Sequence, residues 1–311
     1  MNSMSMASAP KRFRIIPTEQ GSTLRNVLMR RVKLDRKQAA AVIQAGGVYV
    51  NRLRVRLPQV LVAHGERITV YLEALDAKPL DPERVRFVHR GEDFVVLDKP
   101  AGVPVSAVRE TCVGSLSEAL IHQLESEGLE RPYVGVVHRL DQGASGLVLF
   151  TIRDVANKSL HKQFRDHEIR RGYRVRVTGE PPAQLRCDAP LIKLRSGGVK
   201  VGSPGDGRSK PATTHFRHVA RVDGEAGPEH LLDVEIETGR THQIRAHAAH
   251  LGFPIVGDRR YGADGEGEAG SDHSRLCLHA RSLEFEHPLT GAPQSFTCEL
   301  PDWAQEPAVY R

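Results

Sequence analysis

The stretch Val136-Val137-His138-Arg139-Leu140-Asp141-Gln142-Gly143-Ala144-Ser145-Gly146-Leu147-Val148-Leu149-Phe150 decides how this chain is read. Two apolar runs enclose a polar segment that carries a cation, an anion and two glycines. From Leu147 to Phe150 the run is continuously apolar, the pattern of a strand buried on both faces. Gly143 and Gly146 allow a tight turn and the close approach of a ligand or another segment. A carboxylate at Asp141, where a polar loop meets a buried strand, is a candidate reactive group. The plain structural alternative is a surface loop with a local Arg139–Asp141 ion pair.

The order of these residues goes further than their chemistry. His138-Arg139-Leu140-Asp141, three residues, then Ser145-Gly146-Leu147 and an apolar strand resembles the catalytic motif of the pseudouridine synthases related to RluA. Three more stretches resemble motifs of that family in the right order. Phe94-Val95-Val96-Leu97-Asp98-Lys99-Pro100-Ala101-Gly102 resembles its first motif, a strand and turn that support the active-site floor. Gly239-Arg240-Thr241-His242-Gln243-Ile244-Arg245, with Ala246-His247 and Pro254-Ile255-Val256-Gly257-Asp258, resembles its third. Leu278-His279-Ala280, His287-Pro288-Leu289-Thr290-Gly291 and Leu300-Pro301 resemble its C-terminal strands. The likeness runs through about residues 88–303. Two departures stand out: Ala144 where the motif usually has Thr, and Arg171-Gly172-Tyr173 where it usually has Lys-x-Tyr. Arg and Lys differ in geometry, so position 171 takes no role from the likeness alone. The lost hydroxyl at 144 removes a hydrogen bond worth roughly 1 kcal/mol.

Outside these motifs, the composition sets bounds. A chain of 311 residues has room for a large core and an appended module. Its 40% hydrophobic and 26% charged residues are ordinary for a globular protein. No apolar run approaches the ~20 residues of a transmembrane helix, and Met1 to Pro10 lacks the apolar core of a secretory signal. No membrane association is expected. The four cysteines, Cys112, Cys187, Cys277 and Cys298, are scattered without metal-ligand spacing and read as reduced thiols of a cytoplasmic protein.

The charge is uneven. Residues 1–72 carry 13 Lys/Arg against 3 Asp/Glu, whereas residues 73–311 carry 31 against 35. A basic footprint confined to one module favours a polyanion partner. Within it, Leu24, Val27, Leu28 and Val32 form the stripe of a short helix capped by Ser22 or Thr23. Asp35, with Gln38 as the return half of a capping box, starts a second helix that Gly46-Gly47 stops. Strands are expected at Val48–Val50 and Ile68–Tyr71. Arg30, Arg31, Lys33, Arg36 and Lys37 cluster at the helix junction. The order over about residues 20–72 resembles the αL RNA-binding module, which reads phosphates and shape more than sequence. A solvated basic face is the structural alternative.

The expected organisation is a flexible tail over 1–18, an αL domain over 19–75, a proline-containing linker over 76–88 and a catalytic domain over 89–311. Helical periodicity is expected over Ser115–Leu129 and Asp154–Phe164, and Tyr173, Val175 and Val177 alternate with Arg174 and Arg176 as a strand with one basic face. Residues 197–229 and 259–275, rich in Gly and polar side chains, read as two long excursions. The fold class is α+β: the pseudouridine synthase fold, a large mixed, mainly antiparallel sheet with peripheral helices, joined to a small N-terminal αL domain. A monomer is expected.

The resemblance also implies a chemistry. Moving uracil from an N1 to a C5 attachment on the ribose breaks and remakes one bond, with no redox step, so no cofactor or metal is expected. Asp141 would initiate, as nucleophile at C1′ or by removing the 2′ proton. Arg245 would be its counter-charge and Tyr173 would stack on the base. Ile244 and Leu147 would wall the slot, although core packing suits Leu147 nearly as well. Arg139 would fill the gap left by a flipped base, and His138 reads as a scaffold partner. His242, His247 and His250 lack the spacing of a zinc helix, so a metal-dependent hydrolase is the weakest reading. Large-subunit ribosomal RNA is the expected substrate, since the αL module accompanies ribosomal members. The alternatives are a tRNA uridine isomerase and a catalytically silent RNA-binding assembly factor.

Overall fold

The computed structural model describes residues 9–203, 205–224, 227–262 and 276–307. The chain divides into two compact units, Met1–Pro82 with Ser106–Ser126, and Glu83–Val105 with Glu127–Arg311. The first division falls inside the expected linker at 76–88. Assignment of 106–126 to the first unit was not foreseen, because its helix carries an ordinary apolar face that does not name its partner.

The first unit consists of β1 (Lys11–Arg14), α1 (Leu24–Val32), α2 (Arg36–Gln44), β2 (Val48–Val50), β3 (Leu53–Val55), β4 (Arg67–Val70) and α3 (Leu116–Ser126). Its sheet runs β1-β4-β2-β3. The α1 stripe is wholly buried and packs with Val42, Ile43, Val48, Ile68 and Val70. Thr23 is the cap, accepting from the Asn26 amide at 3.3 Å. The capping box forms in both directions: Asp35 Oδ1 accepts from the Gln38 amide (2.8 Å), and Gln38 Oε1 from the Asp35 amide (3.0 Å). Lys33 ends α1 in the left-handed region. Asn51 and Arg52 both take positive φ, as a two-residue hairpin turn requires. The expected tail over 1–18 is corrected here. Residues 1–8 lie outside the described residues, but Lys11–Arg14 pair antiparallel with β4 and Ile15 is buried. Lys11, Arg12 and Arg14 on an edge strand read as solvated tail because basic edges are how sheets avoid further pairing.

The second unit holds β5 (Arg86–Arg90), β6 (Phe94–Lys99), β7 (Gly135–Val136), β8 (Ser145–Thr151), α4 (Asp154–Arg165), β9 (Arg170–Val177), β10 (Gln184–Cys187), β11 (Leu191–Lys193), β12 (Val199–Val201), β13 (Ser209–Lys210), β14 (Thr214–Gly224), β15 (Gly227–Ile236), α5 (Gln243–His250), β16 (Leu278–Glu286) and β17 (Pro293–Thr297). Among the described residues its main sheet has ten strands, in the order β10-β14-β15-β9-β16-β8-β6-β5, with β17 on β16 and β7 on β8. Only β8 and β16 pair in parallel, so the sheet is mixed and mainly antiparallel. Gly146 explains itself at that junction: a Cβ there would stand 2.2 Å from the Ala280 carbonyl oxygen on β16. It also has φ +102°, which only glycine takes readily.

Two core clusters flank the sheet. Phe94, Val96, Leu147, Leu149, Leu160 and Leu283 form one, and Tyr173, Val175, Phe216, Val234, Ile244 and Phe253 belong to the other. The excursion expected over 197–229 is corrected. It contains β14, paired through eleven residues with its neighbour β15 apart from one bulge, and β12 and β13 of a three-stranded sheet with β11. Among the described residues, Gly197, Gly205 and Gly207 sit outside its strands, whereas Gly224 and Gly227 end and begin the paired strands β14 and β15. The excursion over 259–275 lies outside the described residues from 263 onward.

The basic face expected on β9 is not free. Arg174 is 1% exposed and donates to Asp233 (2.8 Å) and the Ala304 carbonyl (3.0 Å), while Arg176 pairs with Glu229. The acids come from the adjacent strand β15, Asp233 directly opposite Arg174 and Glu229 two residues from Leu231, which faces Arg176; charges far apart in sequence cancel across the ladder.

Candidate active site

Asp141 lies in the polar loop between β7 and β8, and α5 delivers its partner. Arg245 Nη1 donates to Asp141 Oδ2 at 2.9 Å. The other side of the guanidinium grips Asp258 twice, Nε to Oδ2 at 2.7 Å and Nη2 to Oδ1 at 2.8 Å. The Asp258 side chain is fully buried, and Oδ1 also accepts the amides of Arg260 (3.0 Å) and Tyr261 (3.1 Å). Burial works against both charges. The bonds between them win, so Arg245 holds its proton more tightly than usual and Asp258 is held below the ordinary carboxylate range. Asp258 therefore fixes the fork, and the fork points one arm at Asp141. The side chain of Asp141 is 20% exposed, open enough to meet a ligand.

The other oxygen of Asp141 faces His242. His242 Nε2 is 3.8 Å from Oδ1, and Nδ1 is 2.9 Å from the Tyr261 hydroxyl. That hydroxyl also accepts the Val199 amide at 2.9 Å, which anchors it beside the ring. The anchored hydroxyl orients the His242 ring, with Nε2 turned toward Asp141. Burial lowers its pKa against the pull of Asp141, with Arg245 and Arg260 also lowering it, which keeps the ring neutral. His242 holds φ +52° at the start of α5, an uncommon conformation for a non-glycine residue.

Gln243 builds the loop that presents these groups. It is 3% exposed. Its amide nitrogen donates to the Thr213 carbonyl (2.9 Å) and Thr214 hydroxyl (3.0 Å), and its oxygen accepts from Thr238 (2.8 Å) and the Arg240 amide (3.0 Å). His247 is buried and bonded at both nitrogens, to Thr214 and the Ala189 carbonyl, each at 2.8 Å. His250 is exposed. The three histidines diverge, and no group of three or more His, Cys, Asp or Glu among the described residues is placed to hold a metal ion.

The floor comes from the first motif. Lys99 is fully buried, and its ammonium donates to the carbonyls of Val103 (2.7 Å), Pro100 (3.0 Å) and Gln142 (3.0 Å). Gln142 follows Asp141 directly. Its carbonyl also accepts the Gly102 amide (2.9 Å), and its side chain donates back to the Gly102 carbonyl (3.0 Å). Burial pulls Lys99 down to about 7 while Asp141 pulls it up. The turn after β6 is thereby stitched to the loop that carries the carboxylate.

The remaining expected residues fall into place unevenly. Tyr173 and Ile244 share one core cluster with Ala144, 8%, 5% and 1% exposed. Tyr173 is kept as a neutral phenol: burial raises its pKa, Arg171 opposes this and Asp141 adds to it. Ala144 is buried in that apolar cluster, and its amide donates to the Asp141 carbonyl at 3.1 Å. Leu147 is corrected. It packs in the opposite cluster with Phe94 and Leu149, away from Tyr173 and Ile244, so it is core and not slot wall. His138 accepts the Leu149 amide at 2.9 Å, stacks on Phe164 at 4.8 Å, and is pushed down to about 3 by burial and by Arg171. Arg139 is exposed and makes no ion pair with Asp141; that bond belongs to Arg245. Arg171 is 9% exposed beside Phe164 and Gly239. In the first unit, Arg30, Arg31, Lys33, Arg36 and Lys37 are all exposed. Asp258, Tyr261, His242 and Lys99 were not singled out as site residues. Asp258 and Lys99 stand inside quoted motifs, which was the available signal.

The decisive observation comes from comparison with known proteins. Residues 93–250 match the RNA pseudouridylate synthase family. The chain belongs to this family. It is 34% identical over 226 residues to the ribosomal large subunit pseudouridine synthase D of Zymomonas mobilis, covering 70% of this chain and 69% of that one. The Vibrio parahaemolyticus protein of the same name is 32% identical over 269 residues, covering 83% and 80%. An uncharacterized RNA pseudouridine synthase of Mycobacterium bovis is 35% identical over 273 residues, covering 85% and 86%. Among solved structures, human RNA pseudouridylate synthase domain containing 1 superposes with a TM-score of 0.58 at 23% identity, covering 72% of this chain and 86% of that one. That likeness concerns the fold. The protein is thus a pseudouridine synthase, an isomerase acting on RNA, and the Asp141–Arg245–Asp258 assembly lies in or beside the part of the chain that carries the match.

Proposed function

We propose that this synthase isomerises specific uridines of structured ribosomal RNA of the large subunit, with Asp141 as its catalytic residue. One observation carries the site assignment. Asp141 is a partly exposed carboxylate with a buried, doubly anchored cation on one oxygen and the His242 ring 3.8 Å from the other. Either opening step available to a carboxylate, attack at C1′ or removal of the 2′ proton, starts from that group. Breaking the N1–C1′ bond frees uracil, which must turn and reattach through C5. C5 then loses its proton while the formula is unchanged. Tyr173 and Ile244, apolar and neighbouring, suit the walls of a dry slot for the detached base, and the phenol of Tyr173 has no hydrogen-bond partner among the described residues. Arg139, exposed and unpaired with Asp141, is free to enter an RNA stack when a base leaves it. The five exposed cations of the first unit suit the phosphate backbone of folded RNA.

The ribosomal assignment is supported by the names of the relatives that match most of the chain. Action in the cytoplasm as a monomer belongs to the same proposal. The test is pseudouridine mapping of total RNA from cells lacking the protein, complemented with wild type or with Asp141→Ala. Loss of defined large-subunit sites that only wild type restores is the expected result. Loss confined to tRNA would move the substrate; no change at any site would leave a binding platform.

A further inference from the structure

Arg171 is 9% exposed, yet no hydrogen bond or ion pair engages its guanidinium among the described residues, and its Nε is buried without a partner. Its surroundings are otherwise finished. The guanidinium lies over the Phe164 ring at 5.6 Å, and Phe164 stacks on His138. His138 spends its Nε2 on the Leu149 amide. On the other side Gly239 lets the guanidinium in, since a Cβ there would come within 2.7 Å of Nη1. Nearby cations elsewhere in the unit are matched: Arg174 by Asp233, Arg176 by Glu229, Arg245 by Asp141 and Asp258. Arg171 is the exception. Taking an unpaired cation out of water is unfavourable, and such a group persists where a counter-charge arrives later. A guanidinium fork fits a phosphate bidentately.

Its place says which phosphate. Arg171 stands two residues before Tyr173 on β9, about 6.5–7 Å along the strand, and its charge acts on the Tyr173 phenol. One ribose spans that interval. We infer that Arg171 is the seat for an RNA phosphodiester next to the nucleotide whose base lies against Tyr173. The inference rests on the reading of this cleft as a uridine site, and it adds a backbone anchor to it. Phe164 and Gly239 hold the fork in position, and the phosphate supplies the bonds that the protein leaves open.

The test uses the full-length protein and a labelled single-stranded oligouridylate, alongside versions in which one linkage at a time is an uncharged methylphosphonate. On wild type, one linkage is expected to weaken binding about tenfold or more when neutralised, the size of a charge-assisted contact. Arg171→Met is expected to bind the native oligomer weaker by a similar factor and to lose sensitivity to that linkage. Its salt slope should fall by roughly 0.7, one contact on a single strand. Arg171→Lys should recover part of the affinity. Thermal unfolding of both variants reports whether the fold is kept. If Arg171→Met keeps wild-type affinity, or keeps the same linkage sensitivity, the inference is overturned. Turnover is scored separately on the mapped RNA site: absence of turnover by wild type counts against the isomerase reading, whereas the linkage experiment judges Arg171 alone.

Discussion

At the scale of residues, Asp141 is held from two sides by chemically different groups. Arg245 supplies a bonded charge on one oxygen, and the His242 ring, oriented through Tyr261 and the Val199 amide, lies 3.8 Å from the other. Removing the carboxylate (Asp141→Asn) is expected to lower single-turnover rates by roughly 10²–10⁴-fold while RNA affinity changes little. Retention of wild-type rate would remove Asp141 from the mechanism. His242→Ala removes the imidazole 3.8 Å from the Asp141 carboxylate and should slow the same step by a factor of a few, on the order of 1 kcal/mol or less for a near-contact to a charge. Tyr261→Phe removes the hydroxyl that orients the ring and should produce a smaller loss, and His242→Gln, which keeps a polar group at that place, should recover part of the rate. Equal rates for all three variants and wild type would make the His242 arm purely structural. His242 sits inside the motif whose likeness pointed to Arg245, whereas Tyr261 lies beyond it, and its contact with the ring is visible only in the fold.

At the scale of elements, two joints carry the site. The first is the α5–Asp258 clamp. Asp258 has its folded pKa depressed by Arg245 and two amides, so its contribution is fully present above the unfolded value near ~3.9 and fades as pH falls through the folded value. Asp258→Asn should cost about 3–5 kcal/mol at pH 7, the penalty of leaving Arg245 half-paired in a buried site. The gap to wild type should narrow in acid-unfolding curves below pH 4. A constant gap across pH would deny the clamp its ionic role. The second joint is Gly146 against β16. Gly146→Ala forces a Cβ into the Ala280 backbone and leaves the residue in a glycine conformation. A loss of about 3 kcal/mol or more in denaturant unfolding is expected; a loss under 1 kcal/mol would mean that the parallel β8–β16 joint yields easily. The β8 strand was legible from its continuous apolar run, and β16 through the family resemblance. That they meet was not, because pairing partners 134 residues apart, Ser145 and His279, leave no local trace.

At the scale of the molecule, charge and chemistry are carried by different units. The basic cluster belongs to the first and the Asp141 assembly to the second. Replacing Arg30, Arg31, Lys33, Arg36 and Lys37 with Gln should weaken RNA binding and reduce the steepness of its salt dependence, with little change in turnover at saturating RNA. Unchanged affinity and slope would return the cluster to an ordinary solvated face. Substituting side chains is preferable to truncation, since the first unit also includes 106–126 and a deletion of the N-terminal residues would strip that segment of its own core.

The sequence by itself determined the elements that local rules control: the capping box at Asp35 and Gln38, the α1 stripe, the buried run at Leu147–Phe150, and a motif order that names the family. Those signals act over a few residues, where spacing and composition dictate hydrogen bonding and burial. Tertiary structure alone decided which side of the sheet each residue faces, so Leu147 became core while Tyr173 and Ile244 came together. It also cancelled the basic face of β9 with acids from β15, made a strand of Lys11–Arg14, and left Arg171 buried without a partner. Each of those outcomes depends on what a distant segment brings across the ladder, and charge or apolarity in one stretch cannot say what will be opposite it.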